Sequence, residues 1–216
     1  MSKEFHEKMF TGSVKAAQEH YGTRAIYERI EANAKPGEFK GLGDLEKDFI
    51  ESRDGFYLAT VNEDAWPYIQ FRGGPAGFLK VLDDKTLGYA DFKGNLQYIS
   101  VGNLAANNKA ALFLMDYAHQ RRLKILATVE VRDAADAPEL VEKLKMAGYK
   151  ATIERAMILH VEAFDWNCPQ HITPRYTVEE IQGLIAPVYE RLEQLEADNE
   201  SLREGQAAIL TDNLSA

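Results

Sequence analysis

Between Phe56 and Val131 the chain is built from short runs of β-branched and aromatic residues separated by polar reversals, and that pattern limits the fold more than any other feature. Phe56-Tyr57-Leu58-Ala59-Thr60-Val61 leads into the turn-like Asn62-Glu63-Asp64 and then Pro67-Tyr68-Ile69-Gln70-Phe71-Arg72, which reads as a β-hairpin. Phe78 to Leu82, Asp83-Asp84-Lys85 and Thr86 to Ala90 repeat strand, turn and strand. Ala110 to Asp116, Leu123 to Val131 and Ala156 to Phe164 add further apolar runs. The expectation is a mainly β fold with flanking helices (α+β), in which six or more strands close an antiparallel barrel.

Helical periodicity flanks this block. From His6 to Ala34 apolar residues fall at helical spacing, and Lys35-Pro36-Gly37 breaks the run. Asp44 is a candidate cap for a helix carrying Leu45, Phe49 and Ile50 on one face and ending near Asp54-Gly55. Asn95 to Ala106 reads as a short helix. Pro138 to Ala147 reads as an amphipathic one stopped by Gly148. Thr177 and Glu180 form a capping-box pattern. Beyond it Ile181, Ile185, Val188, Leu192, Leu195, Asn199 and Leu202 trace a heptad seam with Asn199 at an a-type position. Pro187 interrupts that run and predicts two helices, the second starting near it. The seam fits a helix docked on its own barrel, an intersubunit pair or a free tail. The organisation expected is therefore a lead-in over 1–43, a barrel domain over 44–165, a loop over 166–176 and a C-terminal helix and tail over 177–216.

Composition excludes several roles. A net charge of −9 in 216 residues argues against sequence-independent nucleic-acid binding, which needs a basic face to displace counterions. Cys168 is the single cysteine, so no intrachain disulfide can form and a reducing, cytoplasmic setting is expected. The first residues lack the apolar run of a secretory signal, and no stretch approaches the roughly 20 apolar residues needed to cross a bilayer.

Four constellations could carry chemistry. In Gln70-Phe71-Arg72-Gly73-Gly74 the glycines leave room for a flat ligand near the backbone, or merely bend the chain, and Arg72 adds a donor fork. In Ala90-Asp91-Phe92-Lys93-Gly94-Asn95-Leu96-Gln97 a strand runs into a polar loop opening a helix, where free N–H groups attract anions; Lys93, Asn95 and Gln97 add donors, or serve as a surface charge and an N-cap. Tyr117-Ala118-His119-Gln120-Arg121-Arg122-Leu123-Lys124 is a basic cluster at a strand start, available to a ligand or to ion pairs, and adjacent arginines on a strand face opposite ways. Phe164-Asp165-Trp166-Asn167-Cys168-Pro169-Gln170-His171-Ile172-Thr173-Pro174-Arg175 crowds aromatic, amide, imidazole and guanidinium groups into a proline-stiffened loop. Cys168 and His171 lack the second ligand cluster that zinc requires, so no metal is expected, and Cys168 has no base assigned to make it a nucleophile.

With these residues in view, the sequence resembles the pyridoxamine 5'-phosphate oxidase-related, FMN-binding proteins. Gly55 to Val129 resembles the barrel core of that family, and Trp166-Asn167-Cys168-Pro169-Gln170-His171-Ile172 with Pro174-Arg175 resembles a C-terminal motif of one of its branches. The resemblance implies an FMN-binding split β-barrel with the FMN at a homodimer interface. Gln70, Phe71 and Arg72, with Gly73 after them, would line the ribityl and isoalloxazine. The strand end at Ala90 and Asp91, with Lys93, Asn95 and Gln97, would approach the phosphate. Arg122 falls at a polar flavin contact with Arg121 beside it, and Trp166, Gln170, His171 and Arg175 belong to the flavin-contacting loop. Where the oxidases carry Arg-Lys in the phosphate loop, this chain has Leu96-Gln97, so Lys93 or an arginine from elsewhere must offset the phosphate. The C-terminal motif does not match the oxidases' substrate segment. The activity implied is an FMN-dependent oxidoreductase with a small-molecule partner and NADH or NADPH as candidate reductant. The alternative is a non-catalytic carrier or sensor of flavin, haem or deazaflavin.

Overall fold

The alternation noted above builds seven strands: β1 (Gly55–Val61), β2 (Pro67–Gly73), β3 (Lys80–Asp83), β4 (Thr86–Phe92), β5 (Lys109–Asp116), β6 (Arg121–Asp133) and β7 (Ile153–Trp166). They form one sheet in the order β2-β1-β5-β6-β7-β4-β3, with every neighbouring pair antiparallel. The structure is a computed structural model and describes residues 3–33, 39–166 and 168–214. Two compact units divide the chain, Met1–Ile172 and Thr173–Ala216.

In the first unit, period two decides what faces the core. Phe56 and Leu58 of β1, Leu112 and Leu114 of β5, Leu123 and Ile125 of β6, and Met157 and Leu159 of β7 are all buried in one cluster with Leu87 and Tyr89 of β4. Burying each such side chain contributes about 1.5–3 kcal/mol relative to leaving it in water. The β1–β2 hairpin register is fixed by Asn62, whose side-chain oxygen accepts from the Asp64 and Trp66 N–H groups at 3.1 and 2.8 Å. β4 is covered on both faces. Its Ala90 packs with Leu144, Ala156 and Ile158, whereas Leu87 and Tyr89 look into the barrel. The fold is a split β-barrel, mainly β with flanking helices.

The helices differ from the sequence expectation mostly at their ends. The lead-in is three helices, α1 (Lys3–Met9), α2 (Gly12–His20) and α3 (Arg24–Asn33). Thr11 interrupts the first pair by capping α2, its hydroxyl accepting from the Val14 N–H, and Gly22 turns the chain at φ +72°. The Lys35-Pro36-Gly37 break lies outside the described residues. α4 (Asp44–Glu51) is capped at Gly43 rather than Asp44, because the Glu46 carboxylate reaches back to the Gly43 N–H at 3.0 Å. Phe49 and Ile50 of this helix are buried, while Leu45 stays exposed. α5 (Ile99–Ala106) begins four residues later than Asn95, since Leu96 and Tyr98 adopt positive φ and cannot extend a right-handed turn. α6 (Pro138–Leu144) ends before Ala147, its last carbonyls engaged by the N–H of Lys145 and by the ammonium of Lys80.

The second unit is α7 (Val178–Leu214). Its N-terminus is a reciprocal capping box: Thr177 N–H donates to Glu180 Oε2 at 2.7 Å and Glu180 N–H to Thr177 Oγ1 at 3.1 Å. Pro187 does not divide it, so the two-helix expectation is corrected to a single helix with proline inside.

Candidate functional site

The sheet leaves β2 at one edge, and side chains rather than backbone bonds join that edge to β4 and to α5. Arg72 of β2 places Nη1 3.0 Å from Asp91 Oδ1. Arg155 of β7, the register partner of Asp91, holds the other carboxylate oxygen with Nε at 2.9 Å and Nη2 at 2.8 Å. Gln70, two residues from Arg72 on the same face of β2, accepts at 3.1 Å from the Ser100 hydroxyl of α5. Asn103 of α5 donates to Thr60 of β1 at 3.0 Å. These ties border a small, partly open cleft lined by Gln70, Arg72, Asp91, Asn95, Gln97 and Arg155, together with the first turn of α5.

The electrostatics follow from burial. Asp91 is only 3% exposed and is neutralised by two guanidiniums that are themselves mostly buried. Arg155 also holds Glu154 at 2.7 Å and stacks its guanidinium 4.9 Å over the Tyr98 ring, and the Tyr98 hydroxyl donates to Glu154 at 3.2 Å. Burial works against the Arg155 charge, yet the bonds to Asp91 and Glu154 outweigh it and raise its pKa above the ordinary value. Two buried polar atoms beside this network, Arg72 Nε and the Tyr89 hydroxyl, have no hydrogen-bond partner among the described residues. Burial drives the Tyr89 pKa upward, so its hydroxyl remains a neutral donor.

The loop before α5 is polar and folds back on itself. Asn95 closes it on itself, its carbonyl oxygen accepting from the Gln97 N–H and its amide donating to Gln97 Oε1, both at 3.2 Å. No side chain caps α5 at Tyr98, so the N–H groups of its first turn lack an intrahelical acceptor, and the residues of that turn, at the positive end of the helix dipole, border the cleft. Lys93 is exposed beyond this lining, and its backbone N–H bonds to Thr152 at 2.8 Å.

The remaining predicted residues are placed elsewhere. Phe71 lies on the opposite face of β2 from Gln70 and Arg72, exposed and edge-on to Tyr57 at 5.5 Å. A Cβ on Gly73 would sit 2.8 Å from Phe71 Cε1, so the glycine leaves room for that ring. Ala90 is buried on the far side of β4.

Arg121, Arg122, Trp166, Gln170 and His171 gather at another end of the barrel. Arg121 stacks over Phe49 and Trp166, and Trp166 Nε1 donates to Glu46 at 2.7 Å. Arg122 donates to the Cys168 carbonyl at 3.2 Å. Gln170 and His171 are exposed, His171 at φ +63°, and Asn167 lies outside the described residues. Arg175 belongs to the second unit and is exposed. Sequence reading missed Arg155, Ser100 and Tyr98. Asp91 is the one signal that could have found Arg155, since a carboxylate inside an apolar strand needs a cation opposite.

The model of the pyridoxamine 5'-phosphate oxidase family matches residues 42–167, more than half of the chain. No curated protein matches. Among solved structures, the chain is similar to a candidate pyridoxamine 5'-phosphate oxidase from Lactobacillus delbrueckii at 23% identity, covering 59% of this chain and 95% of that one with a TM-score of 0.47. It is also similar to HupZ of Group A Streptococcus, at 18% identity, 62% and 99% coverage and a TM-score of 0.45. An FMN-binding protein from Syntrophomonas wolfei matches at 13% identity, 73% and 98% coverage and a TM-score of 0.42. With its barrel matched from Leu42 to the end of β7, the chain belongs to the pyridoxamine 5'-phosphate oxidase family.

Proposed function

We propose that this protein binds FMN with its phosphate in the cleft between β2, β4 and α5, and that it works as an oxidoreductase on a small-molecule partner. The observation that carries the reading is the convergence of the uncapped first turn of α5 with Arg72 and Arg155 in one cleft. The donor set fits a phosphate monoester. Helix amides, the Asn95 and Gln97 side chains and two guanidiniums all present N–H groups, and the buried Arg72 Nε has no other partner among the described residues. Arg155 supplies the cation that Leu96-Gln97 does not.

Asp91 has a positioning role in this scheme. By holding both guanidiniums it fixes their planes before any ligand arrives, at the cost of sharing their charge. Gln70, anchored by Ser100, lines the same wall. Bound FMN would supply hydride and single-electron chemistry through its isoalloxazine, and the protein's part is to orient it and tune its potential.

The reading includes a homodimer. The outer faces of β1, β2 and β5 expose Ile69 and Phe71, and Ile69 with Tyr57, Ala59 and Phe113 lines an apolar depression of the kind that marks an interface. A cytoplasmic location accords with the exposed free thiol of Cys168. Among the described residues no helix is long and apolar enough to cross a membrane.

The test is the identity of the small molecule that accompanies the purified protein. Mass spectrometry should find FMN in wild type and none in an Arg72→Met/Arg155→Met variant that remains folded; haem or a deazaflavin in its place overturns the cofactor reading. Anaerobic reduction by NADH or NADPH then separates an enzyme from a carrier.

A further inference from the structure

We infer that α7 pairs with the α7 of a second copy of this chain as a parallel, in-register two-stranded coiled coil. The inference stands on the helix surface alone and not on the cofactor reading. Every seam side chain named from the sequence lies on one helix, and Ile181, Ile185, Val188, Leu192, Leu195 and Leu202 are between 38% and 68% exposed. An apolar stripe of that length in water calls for a partner, and the sequence of the helix itself specifies which.

Numbering the heptad with Ile185, Leu192 and Asn199 at a puts Ile181, Val188, Leu195 and Leu202 at d. Pro187 then falls at c. Its missing N–H and the orphaned carbonyl of Gly183, at f, both face away from the seam, so the proline is tolerated where water can satisfy the backbone.

Orientation follows from the flanking positions. In a parallel pair each g residue meets the e residue five positions on in the partner. Here Leu184 would meet Tyr189, Arg191 would meet Glu196 and Asp198 would meet Arg203. Three successive layers are thus complementary, one apolar and two of opposite charge. Asn199 would face its own copy, and an Asn pair at a is satisfied only when the helices are parallel and in register. In the antiparallel alternative that stacks Leu192 on Leu195, Arg191 still meets Asp198, but Asn199 is buried against Val188 with no polar partner. The exposed charge pairs set orientation rather than strength.

The test uses the full chain in a Cys168→Ala background. Leu195→Cys, at a d position, should form interchain disulfide under mild oxidation at least tenfold faster than Glu193→Cys, which faces outward at b. Adding Arg191→Glu should slow the Leu195→Cys cross-link several-fold, and adding Glu196→Arg as well should restore it. Equal cross-linking at 195 and 193, or no recovery in the charge-swapped chain, overturns the parallel pair. Neither result bears on flavin content.

Discussion

Arg72 Nη1 lies 3.0 Å from Asp91 Oδ1, and the contact ties β2 at the edge of the sheet to β4, with which it shares no backbone ladder. Since Arg155 holds the second oxygen of the same carboxylate, Asp91 is shared by two mostly buried cations, of which Arg155 also holds Glu154 whereas Arg72 depends on Asp91. Asp91→Ala should therefore cost about 3–5 kcal/mol, the usual penalty for leaving a buried charge unpaired. Urea unfolding is the check: the midpoint should fall with the slope unchanged. A loss below about 1 kcal/mol would mean the two guanidiniums are solvated and the cleft is not preorganised.

Much of this frame was legible in the residues and some was not. Tyr57 to Val61, Asn62 and Pro67 to Arg72 declare the first hairpin locally, because side chains alternate and the turn is closed by its own asparagine. Thr177 and Glu180 declare the start of α7 for the same reason. Arg155 was invisible because its meaning depends on pairing with Asp91, sixty-odd residues away, and a lone arginine in a strand otherwise reads as surface. The late start of α5 was also hidden, since nothing in Asn95 to Tyr98 announces two positive φ angles. Gln70 and Arg72 could be placed on one face by alternation, and that same rule separates Phe71 from them.

The two glycines after Arg72 can be told apart by substitution. A Cβ on Gly74 would meet Phe78 Cγ at 2.7 Å and Cβ at 2.9 Å, and Phe78 is buried and stacked on Phe56. A Cβ on Gly73 is crowded by the exposed ring of Phe71, which can swing aside, and otherwise meets the Asp54 carbonyl oxygen at an ordinary 3.6 Å. Gly74→Ala should then lose about 1–3 kcal/mol and Gly73→Ala less than about 0.5 kcal/mol, with FMN affinity unchanged in both. A sharp fall in FMN affinity for a stable Gly73→Ala protein would restore the close-approach role.

Trp166 does not line the cleft between β2, β4 and α5, and its contacts are to the scaffold. Its indole N–H is satisfied by Glu46, whose other oxygen caps α4, and its ring packs against Phe49 and Arg121. Trp166→Phe removes that bond and leaves Glu46 short of a donor, so it should cost about 1–3 kcal/mol in thermal or urea unfolding. FMN titration of the variant should give a Kd within twofold of wild type; a tenfold rise would return Trp166 to the binding site.

Acid should weaken the protein partly through Asp116. Burial, the largest influence, pushes this carboxyl up, but hydrogen bonds from the His119 backbone and ring and the Arg53 guanidinium outweigh it and hold its pKa below the ordinary value. A folded-state pKa below the unfolded value of about 3.9 means that the carboxylate's contribution is complete above that pH and is lost as pH falls through the folded value. Stability measured between pH 6 and pH 2 should drop more steeply for wild type than for Asp116→Asn in the window below about pH 4. Parallel curves would show that Asp116 titrates alike in both states.

The most direct measurement is a paired titration of flavin-free protein with FMN and with riboflavin, which differ by the phosphate. If Arg72, Arg155 and the first turn of α5 hold that phosphate, FMN should bind about 100-fold more tightly, equivalent to one or two charge-assisted hydrogen bonds, and the preference should collapse in Arg155→Met. Equal affinities for the two flavins, or no binding of either, would contradict the account.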